Sequence, residues 1–376
     1  MTNSDPAGQP DASSVSGEAA SVPSDSSDQS RFVYIVCNPD SQALCKKEIA
    51  SSCPQLAPAF SRPGFLTYKL TSDLPDRFNL PLTFARSYGW SELKVDSESL
   101  REVQEKVLEV VQRRNAKHIH VWQRDWVDKT KDQPSVSDVE VAKLAEMLES
   151  GKRGPKINRV TEADQLIVDV IRVDSGLWWI GWHKAGSLQQ RWPGGIPILP
   201  NPEKMISRAY MKTCEALMWS GVNVTRGDTC AEIGSAPGGS CQRLLELGAD
   251  VIAIDPADLD KSIQKHKRLV HLKMRGKEVP HRDLAKVSWL LVDSNVTPTH
   301  CLDTVEALTS SQHTRFRGLL LTLKFSKPEM VEGLPSFVER VKSWGFKFVK
   351  TRQLAYGRHE VFLLALKQKS VRRFRG

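Results

Sequence analysis

Hydrophobic and polar positions follow two different rhythms along the chain, and the change falls near residue 150. Before it, short apolar runs predict strands at residues 32–36, 64–70 and 117–122. Apolar positions three and four residues apart predict helices at residues 41–49, 97–114 and 139–148. In the longest helix the predicted buried stripe consists of Leu100, Val103, Val107, Leu108 and Val111. The mixture predicts a small α+β domain over residues 31–155.

After residue 150 the pattern predicts strands and helices that alternate regularly. Residues 165–173 and 177–182 predict a hairpin, so residues 156–200 are expected to link two domains. In residues 201–370, a predicted helix at 202–219 precedes seven apolar runs, at residues 229–233, 251–254, 269–272, 289–292, 318–323, 346–352 and 360–366. The predicted fold class is therefore α/β, a doubly wound Rossmann-like sheet that is largely parallel, with last strands able to form an antiparallel edge.

Charge is distributed unevenly along the sequence. The formal net charge is +9, and the first 30 residues contribute −5 to it, so residues 31–376 carry +14. A basic body favours a polyanionic partner, with RNA or DNA ahead of an acidic membrane surface because no basic amphipathic helix is evident. Ser, Asp, Pro and Gly dominate residues 1–30, which predicts a disordered acidic tail there.

Other simple features exclude several classes of protein. No apolar run approaches the roughly 20 residues that span a bilayer, and the N-terminus lacks the basic start and apolar stretch of a signal peptide. A cytoplasmic monomer with no membrane partner is expected. The seven cysteines show neither CxxC pairing nor a histidine at ligand spacing. Reduced core thiols are therefore favoured over a zinc site, and no metal site is predicted.

One glycine-rich segment, Ala231-Glu-Ile-Gly-Ser-Ala-Pro-Gly-Gly-Ser240, predicts a ligand-binding turn. An apolar strand runs into Gly234, and Pro237 is placed as an early helical residue. Gly238 and Gly239 let a ligand approach the backbone, and a helix beginning there offers free N–H groups to a carboxylate or phosphate. Without a following Gly-Lys-[Ser/Thr] the segment is no P-loop, and its spacing differs from the GxGxxG of dinucleotide-binding proteins.

The segment resembles the first motif of the S-adenosylmethionine-dependent methyltransferases, most closely that of the FtsJ-like RNA 2′-O-methyltransferases. The resemblance implies S-adenosylmethionine as the cofactor, bound by the turn residues Gly234, Ser235, Pro237, Gly238 and Gly239.

An acidic residue follows the second strand of this region. Asp255 lies where a ligand ribose would lie, and its carboxylate is placed to bind both hydroxyls; a helix cap is the alternative. Relatives often bind adenine with an Asp after the third strand. This chain has Lys273-Met-Arg-Gly276 there and Asp283 seven residues later, so no adenine-contacting residue is assigned.

Four residues match the Lys–Asp–Lys–Glu tetrad of the FtsJ-like family, in the family's order. Lys212 lies in Ser207-Arg-Ala-Tyr-Met-Lys212, on the helix before the first strand. Asp293 ends the fourth strand, Lys324 ends the fifth, and Glu360 begins the last. The resemblance implies that these four residues are catalytic and that Asp293 also borders the cofactor.

The chemistry explains these residue types. A ribose hydroxyl becomes a nucleophile when a base takes its proton, and a lysine can be this base at neutral pH only when desolvation or positive charge lowers its pKa. Lys324 follows a very apolar strand, and Lys212 and the sulfonium of the cofactor would supply positive charge nearby. Lys324 is therefore the predicted general base, oriented by Asp293, while Glu360 orients Lys212 or the ribose.

Segments outside the catalytic half resemble the RlmM-type methyltransferases. They are a Cys-x-x-Glu-Ile helix with Cys45, Glu48 and Ile49, the segment Phe84-Ala-Arg86, and Gly194-Gly-Ile-Pro197. The resemblance implies a THUMP-like RNA-binding domain at residues 31–155 joined to an FtsJ-like domain at residues 201–370, and a cytidine of large-subunit rRNA as substrate. Tryptophans at positions 178, 179, 182 and 192 either stack on RNA or fill space between domains.

Three alternatives remain. An RNA-binding protein could keep the fold without turnover, although the intact tetrad argues against it. The acceptor could be another RNA, a protein or a base. A base amino group would normally require an Asn/Asp-Pro-Pro-aromatic motif after the fourth strand, where this chain has Asp293-Ser-Asn-Val. A nicotinamide oxidoreductase is disfavoured by the spacing of the glycine segment.

Overall fold

The computed structural model describes residues 31–125, 138–149, 154–200, 202–325, 327–357 and 360–368. The predicted acidic tail, residues 1–30, lies outside them. The described chain contains two β-sheets, both packed against helices. No helix in these residues is long and apolar enough to cross a membrane.

Eight strands form the first sheet, in the spatial order β2-β3-β1-β4-β8-β7-β5-β6. They are β1 (Phe32–Cys37), β2 (Leu56–Arg62), β3 (Phe65–Leu70), β4 (Ala85–Asp96), β5 (His118–Gln123), β6 (Lys156–Ile157), β7 (Leu166–Asp174) and β8 (Leu177–Lys184). Neighbouring strands are antiparallel, except that β5 runs parallel to β6 and β7. The accompanying helices are α1 (Gln42–Ser52), α2 (Leu100–Arg114) and α3 (Val139–Leu148).

The hairpin expected to link two domains lies in the middle of this sheet instead. β8 pairs with β4, and β7 pairs with β5, so the hairpin joins the two halves of the sheet. Its tryptophans Trp178, Trp179 and Trp182 are buried. They fill the core of the first sheet, which is neither of the two roles left open for them, stacking on RNA or filling space between domains.

Helix α2 differs from its prediction in the residues it buries. Its cap residue Ser99 accepts a hydrogen bond from the backbone N–H of Glu102, and the buried positions are Val103, Val107 and Val110. Leu108 was predicted in the buried stripe but is 39% exposed. It follows Val107 directly, so it lies about 100° further round the helix and points away from the sheet.

A polar network is enclosed in the first sheet. The Asp169 carboxylate accepts hydrogen bonds from the Tyr34 hydroxyl (2.7 Å) and the Trp122 indole N–H (3.0 Å). It also lies 2.6 Å from His183 Nδ1, while His183 Nε2 lies 2.8 Å from the Gln190 carbonyl oxygen. The four side chains are buried, so the carboxylate is held by partners on both oxygens.

The second sheet has seven strands in the order β11-β10-β9-β12-β13-β15-β14. They are β9 (Thr229–Ile233), β10 (Asp250–Ile254), β11 (Leu269–Leu272), β12 (Trp289–Val292), β13 (Gly318–Lys324), β14 (Phe348–Arg352) and β15 (Glu360–Leu366). β9 to β13 are parallel, and β15 is antiparallel to both β13 and β14. The prediction of a mostly parallel sheet with an antiparallel edge is confirmed.

Helices cover both faces of this sheet, namely α4 (Ala209–Ser220), α5 (Gly239–Glu246), α6 (Lys261–Gln264), α7 (Pro298–Thr309) and α8 (Leu334–Ser343). Successive leucines of one strand face opposite cores: Leu319 and Leu321 pack with residues of α7 and α8, and Leu320 packs with residues of α4 and α5. A strand buried on both sides reads as a continuous apolar run. The Rossmann-like, doubly wound prediction is confirmed.

Helix α4 begins later than predicted. The sequence placed its start near residue 202, but residues 202–208 form no helix and α4 starts at Ala209. The Gln242 side chain accepts from the Ile206 backbone N–H and donates to the Lys204 carbonyl, which holds this stretch in another conformation. The backbone groups that would have formed a helical turn are used by that amide.

The two sheets are joined by a seam of hydrogen bonds, made by Ser41, Thr83 and Arg86 on one side and Thr351, Arg352 and Gln353 on the other. Gln353 Nε2 donates to Ser41 Oγ (2.7 Å), and the hydroxyls of Thr83 and Thr351 lie 2.8 Å apart. The Arg352 guanidinium donates to the Arg86 carbonyl (2.8 Å). One hydrophobic core contains residues of both sheets, so the seam lies along a shared interior.

Candidate active site

The glycine segment turns at the carboxyl end of β9. Gly234 has φ +81°, and a Cβ there would lie 2.6 Å from Ser294 Cα and 2.8 Å from the Asp293 carbonyl oxygen. Any side chain would therefore collide with the backbone that follows β12. Gly234 is needed for this close approach of two strand ends, as well as for its positive φ.

The start of helix α5 differs from the prediction. Pro237 was placed as an early helical residue, but the helix begins at Gly239, after Gly238 with φ +115°. That positive φ is incompatible with a right-handed helix, so the helix starts one residue later. The prediction for Pro237 is wrong in this respect.

The space beside the two helix-opening glycines is filled by protein. A Cβ on Gly239 would lie 2.3 Å from Ser207 Oγ and 2.9 Å from the Tyr210 nitrogen, and one on Gly238 would lie 2.4 Å from Ile263 Cδ1. The space that a side chain would occupy at these two positions is thus filled by residues of α4 and α6 and by Ser207. Ser235 is buried next to them, and its hydroxyl has no hydrogen-bond partner among the described residues.

Asp255 follows β10 and lies beside the glycine turn. One carboxylate oxygen accepts from the Ala236 backbone N–H (3.1 Å) and the other from that of Ala257 (2.9 Å). The carboxylate thus orders the turn, while each oxygen keeps a further lone pair for a ligand hydroxyl.

A cavity of about 770 Å³ opens at this edge, along the carboxyl ends of β9, β10, β12 and β13. Gly234, Asp255, Asp293 and Lys324 line it. This is the crevice in which open α/β sheets bind ligands, and its volume suits a molecule of nucleoside size. Ser235, Pro237, Gly238 and Gly239 lie in the turn, and none of them lines the cavity wall itself.

Several lining residues were missed by the sequence analysis. They follow β11 and β12 and include Met274, Arg275, Lys277, Asn295, His300 and Thr304. Asp283, the acidic residue considered for an adenine contact, is exposed and is not part of the wall. Only its position after β11 could have marked this segment as part of the cavity, because it lacks the Asp that relatives often carry there.

The four tetrad residues are brought together although they come from α4, β12, β13 and β15. Lys212 Nζ lies 2.5 Å from Asp293 Oδ2 and 3.1 Å from Glu360 Oε1. Lys324 Nζ lies 3.0 Å from Asp293 Oδ1. The antiparallel pairing of β13 and β15 sets Lys324 directly opposite Glu360. Asp293 is thus shared by two lysines, and Lys212 by two carboxylates.

The charges of the cluster perturb one another. Burial alone would raise the pKa of Asp293, but the ammonium groups of Lys212 and Lys324 outweigh it and lower that pKa. Burial alone would lower the pKa of Lys212, but Asp293 and Glu360 raise it. The pKa of Glu360 is raised by burial, against the effect of Lys212. Lys212 therefore stays an ammonium ion at neutral pH.

A further buried acid lies behind the cluster. Glu232 on β9 is buried and forms no ion pair with any residue that the structure describes. Its carboxylate accepts a hydrogen bond from Cys241 Sγ (3.1 Å). Burial raises its pKa to about 8. Glu232 belonged to the glycine segment, yet no role was predicted for it; an acidic residue inside the apolar run Cys230-Ala-Glu-Ile233 was the available signal.

Glu215 fixes the helix that carries Lys212 to the loop that leads into Glu360. It is buried one turn after Lys212 on α4, and its two carboxylate oxygens accept from the backbone N–H groups of Ala355 (2.8 Å) and Tyr356 (3.0 Å). The distance between Lys212 and Glu360 is therefore set by backbone contacts as well as by their own ion pair.

The motif residues outside the catalytic half also have structural partners. Glu48 of α1 accepts from the backbone N–H groups of Thr83 (2.7 Å) and Phe84 (3.0 Å). Arg86 Nε donates to the Gly194 carbonyl (2.8 Å). A Cβ on Gly195 would lie 2.7 Å from the Arg86 carbonyl oxygen. These motif positions thus hold one another in place.

Comparison with known proteins places the chain beside rRNA methyltransferases. It is 31% identical over 193 residues to ribosomal RNA large subunit methyltransferase M of Azoarcus sp. strain BH72, covering 48% of this chain and 52% of that protein. The same-named protein of Alkalilimnicola ehrlichii is 35% identical over 121 residues, 30% of this chain and 32% of its own. The chain is a relative of the RlmM-type methyltransferases. The resemblance indicated by its motifs is confirmed.

The match is partial. The chain spans about half the length of the RlmM-type relatives it matches first. A solved ribosomal RNA methyltransferase from Plasmodium falciparum is 14% identical, with 99% of its own chain and 44% of this one covered at a TM-score of 0.34. No protein-family model matches the chain.

Proposed function

We propose that this protein methylates the ribose 2′-hydroxyl of a nucleotide in RNA, a cytidine of large-subunit rRNA, with S-adenosylmethionine as methyl donor. The observation that carries the proposal is the cluster of Lys212, Asp293, Lys324 and Glu360, assembled from four separate elements at the edge of the cavity. The relatives' name supports the rRNA substrate.

The residues of the cavity fit S-adenosylmethionine. Asp255, which follows β10, suits ribose hydroxyls. In the glycine turn beside the cavity, the Ser235 hydroxyl has no partner among the described residues and can pair with a polar ligand group, and the start of α5 favours a carboxylate. The proposed binding residues are Gly234, Ser235, Pro237, Gly238, Gly239, Asp255 and Asp293. When bound, the cofactor supplies a methyl group on a sulfonium.

The two lysines have different roles in this proposal. Lys212 contacts both carboxylates and remains charged, so it cannot take a proton. Lys324 pairs with Asp293 among the described residues and borders the cavity. Lys324 therefore takes the proton of the ribose hydroxyl, while Asp293 holds its Nζ in place and Glu360 holds Lys212.

The test is methyl transfer from labelled S-adenosylmethionine to a transcript of the host large-subunit rRNA. Lys324→Ala should lower turnover by a factor of about 10² to 10⁴, and S-adenosylhomocysteine affinity, measured by calorimetry, should change little. Lys324→Arg should not restore turnover, because a guanidinium is too weak a base. Lys350→Ala, on the exposed edge strand β14, is the matched control and should behave like the wild type.

The product is checked by resistance of the modified position to alkaline hydrolysis, which reports a 2′-O-methyl group. Near wild-type turnover in Lys324→Ala would falsify the assignment of the base. Binding of RNA and cofactor without any methyl transfer by the wild type would instead favour the RNA-binding alternative.

A further inference from the structure

Lys324 borders a second cavity, separate from the one that Asp255 lines. This second cavity has a volume of about 740 Å³, and Glu360 lines it together with Lys324. Asp255 and Gly234 line the first cavity and not the second. The candidate base therefore stands in the wall between two spaces, with the predicted cofactor residues on one side.

The second cavity is built by both sheets. Leu44 of α1 and Phe84, which precedes β4, contribute apolar surface from the first sheet's side. Phe325 and Val361 contribute apolar surface from the second sheet's side, next to Lys324 and Glu360. Apolar surface next to charged side chains suits a nucleoside, whose base is apolar on its faces and whose ribose carries hydroxyls.

The wall from the first sheet is held firmly in position. The two hydrogen bonds from Thr83 and Phe84 to Glu48 fix Phe84 to α1. The Gln353–Ser41 and Thr83–Thr351 hydrogen bonds of the seam fix the same segments to the second sheet. Preformed walls of this kind lower the ordering cost of binding.

One carboxylate lies at the rim of the cavity on the first sheet's side. Asp40 lines the cavity, is exposed, and forms no ion pair among the described residues. A carboxylate accepts hydrogen bonds, and of the pyrimidines cytosine presents an exocyclic amino donor while uracil presents an oxygen acceptor at the same position. Asp40 thus has the chemistry to favour cytosine.

We infer that the second cavity holds the acceptor nucleotide, turned out of the RNA strand, with its ribose towards Lys324 and Glu360. Its base lies against Leu44 and Phe84, and Asp40 accepts the cytosine amino group. The inference rests on the proposed function and deepens it: the first sheet's side completes the acceptor site and contributes to base selection. Because Lys324 stands between the two cavities, the hydroxyl and the methyl donor meet at it from opposite sides.

The first experiment fills the cavity. Leu44→Trp should lower methyl transfer to the rRNA transcript by about 100-fold, because the acceptor ribose can no longer reach Lys324. Affinity for S-adenosylhomocysteine should stay within about twofold of the wild type, since the other cavity is untouched. Ala43→Trp adds the same side chain at an exposed neighbouring position of α1 and should keep full activity. Thermal melting of both variants checks folding.

The second experiment tests base selection by Asp40 and does not fill the cavity. Once the methylated nucleotide is mapped, transcripts carrying cytidine or uridine there are compared. The wild type should prefer cytidine by about tenfold in kcat/KM, and Asp40→Ala should reduce that preference to within about threefold. The exposed Asp73 provides the matched control, because Asp73→Ala should leave the preference unchanged.

The outcomes separate the two proposals. If the wild type methylates no RNA ribose, the proposed function fails. If the wild type is active and Leu44→Trp is equally active, the second cavity is not the acceptor site, although the function stands. An unchanged cytidine preference in Asp40→Ala, or a mapped nucleotide other than cytidine, would overturn the role given to Asp40.

Discussion

Lys212 and Lys324 carry the same side chain, yet their surroundings give them different chemistry. Lys212 is enclosed by Asp293 and Glu360, which raise its pKa against the effect of burial. Lys324 reaches only one of these carboxylates and faces both cavities. The motif order in the sequence identified both lysines, but only the distances reveal which one shares two carboxylates.

This difference predicts opposite responses to arginine. Lys212→Arg keeps a positive charge between the two carboxylates, so it should retain at least about tenfold more methyl transfer than Lys212→Ala, in which two buried carboxylates lose their common partner. At position 324, arginine and alanine should be equally inactive. Turnover of the four variants on one rRNA transcript gives the comparison, with melting temperatures as the folding control. Equal loss in both position-212 variants would mean that the Lys212 ammonium does more than neutralise its neighbours.

The glycines show what residue patterns leave undecided. Gly234, Gly238 and Gly239 were recognisable as a special turn because two glycines that open a helix after a proline are costly without a reason. The reason that the structure gives for Gly239 is the approach of α4, whose position depends on contacts distant in sequence. A sequence pattern can thus indicate that a position requires glycine without indicating which neighbouring residue causes the requirement.

At the level of elements, the strands of the second sheet were predicted to within a residue or two. β9, β10, β12 and β13 are short apolar runs that are mostly buried, and β11 is an apolar run at the sheet edge, so composition alone marks them. In the first sheet, β2, β4 and the two-residue strand β6 were missed. β4 mixes Arg, Ser, Gly and Lys with aromatic residues and has no regular alternation, because its first six residues are all buried. Its Gly89 lies where the Trp182 carbonyl and the Tyr34 ring approach the strand.

The packing of α4 on α5 makes Gly239 a second testable point. In Gly239→Ala the new methyl group would overlap Ser207 and the Tyr210 nitrogen, and the overpacking should lower the free energy of unfolding by about 1–3 kcal/mol. Because α4 carries Lys212, methyl transfer should fall by more than this loss of stability explains. Urea unfolding and turnover are measured together.

Gly221, at the C-terminal end of α4, is the matched control. Its φ is +66°, and a Cβ there would meet nothing within 4 Å. Gly221→Ala should therefore lower stability by about 1 kcal/mol through backbone strain alone and leave turnover unchanged. Equal turnover in the two variants would show that the α4–α5 contact does not position Lys212.

At the scale of the whole molecule, the class of fold was predictable but the pairing in the first sheet was not. After residue 200 strands and helices alternate, and strands connected by helices form a doubly wound, largely parallel sheet. The β7–β8 hairpin is local and was predicted, whereas its insertion between β4 and β5 depends on partners far away in sequence. An alternating pattern predicts a strand but not the strands with which it pairs. The hairpin was therefore interpreted as a link between two domains.

Global stability should depend on pH through the network around Asp169. Burial would raise the pKa of Asp169, but His183 lowers it; burial would lower the pKa of His183, but Asp169 raises it. The raised His183 pKa stabilises the fold below about pH 6.5, and this contribution disappears as pH rises through the folded value. The lowered Asp169 pKa stabilises the fold above about pH 4 and is lost on further acidification.

Asp169→Asn should therefore destabilise the protein most between about pH 4 and 6.5, by about 3–5 kcal/mol, and less at pH 9. The free energy of unfolding in urea at pH 5.5 and pH 9 gives the two values. A difference between variant and wild type that is the same at both pH values would mean that the Asp169–His183 pair is not ionised in the folded protein.

The seam of hydrogen bonds between the two sheets makes the two halves of the chain depend on each other. Arg352 reaches a backbone carbonyl of the other half, and Gln353 reaches the Ser41 hydroxyl. Separating the chain near residue 200 would remove these two hydrogen bonds and uncover part of a common core. The half that carries the four clustered residues is thus not expected to fold alone. In domain shuffling or enzyme engineering, the two halves have to be inherited and exchanged together.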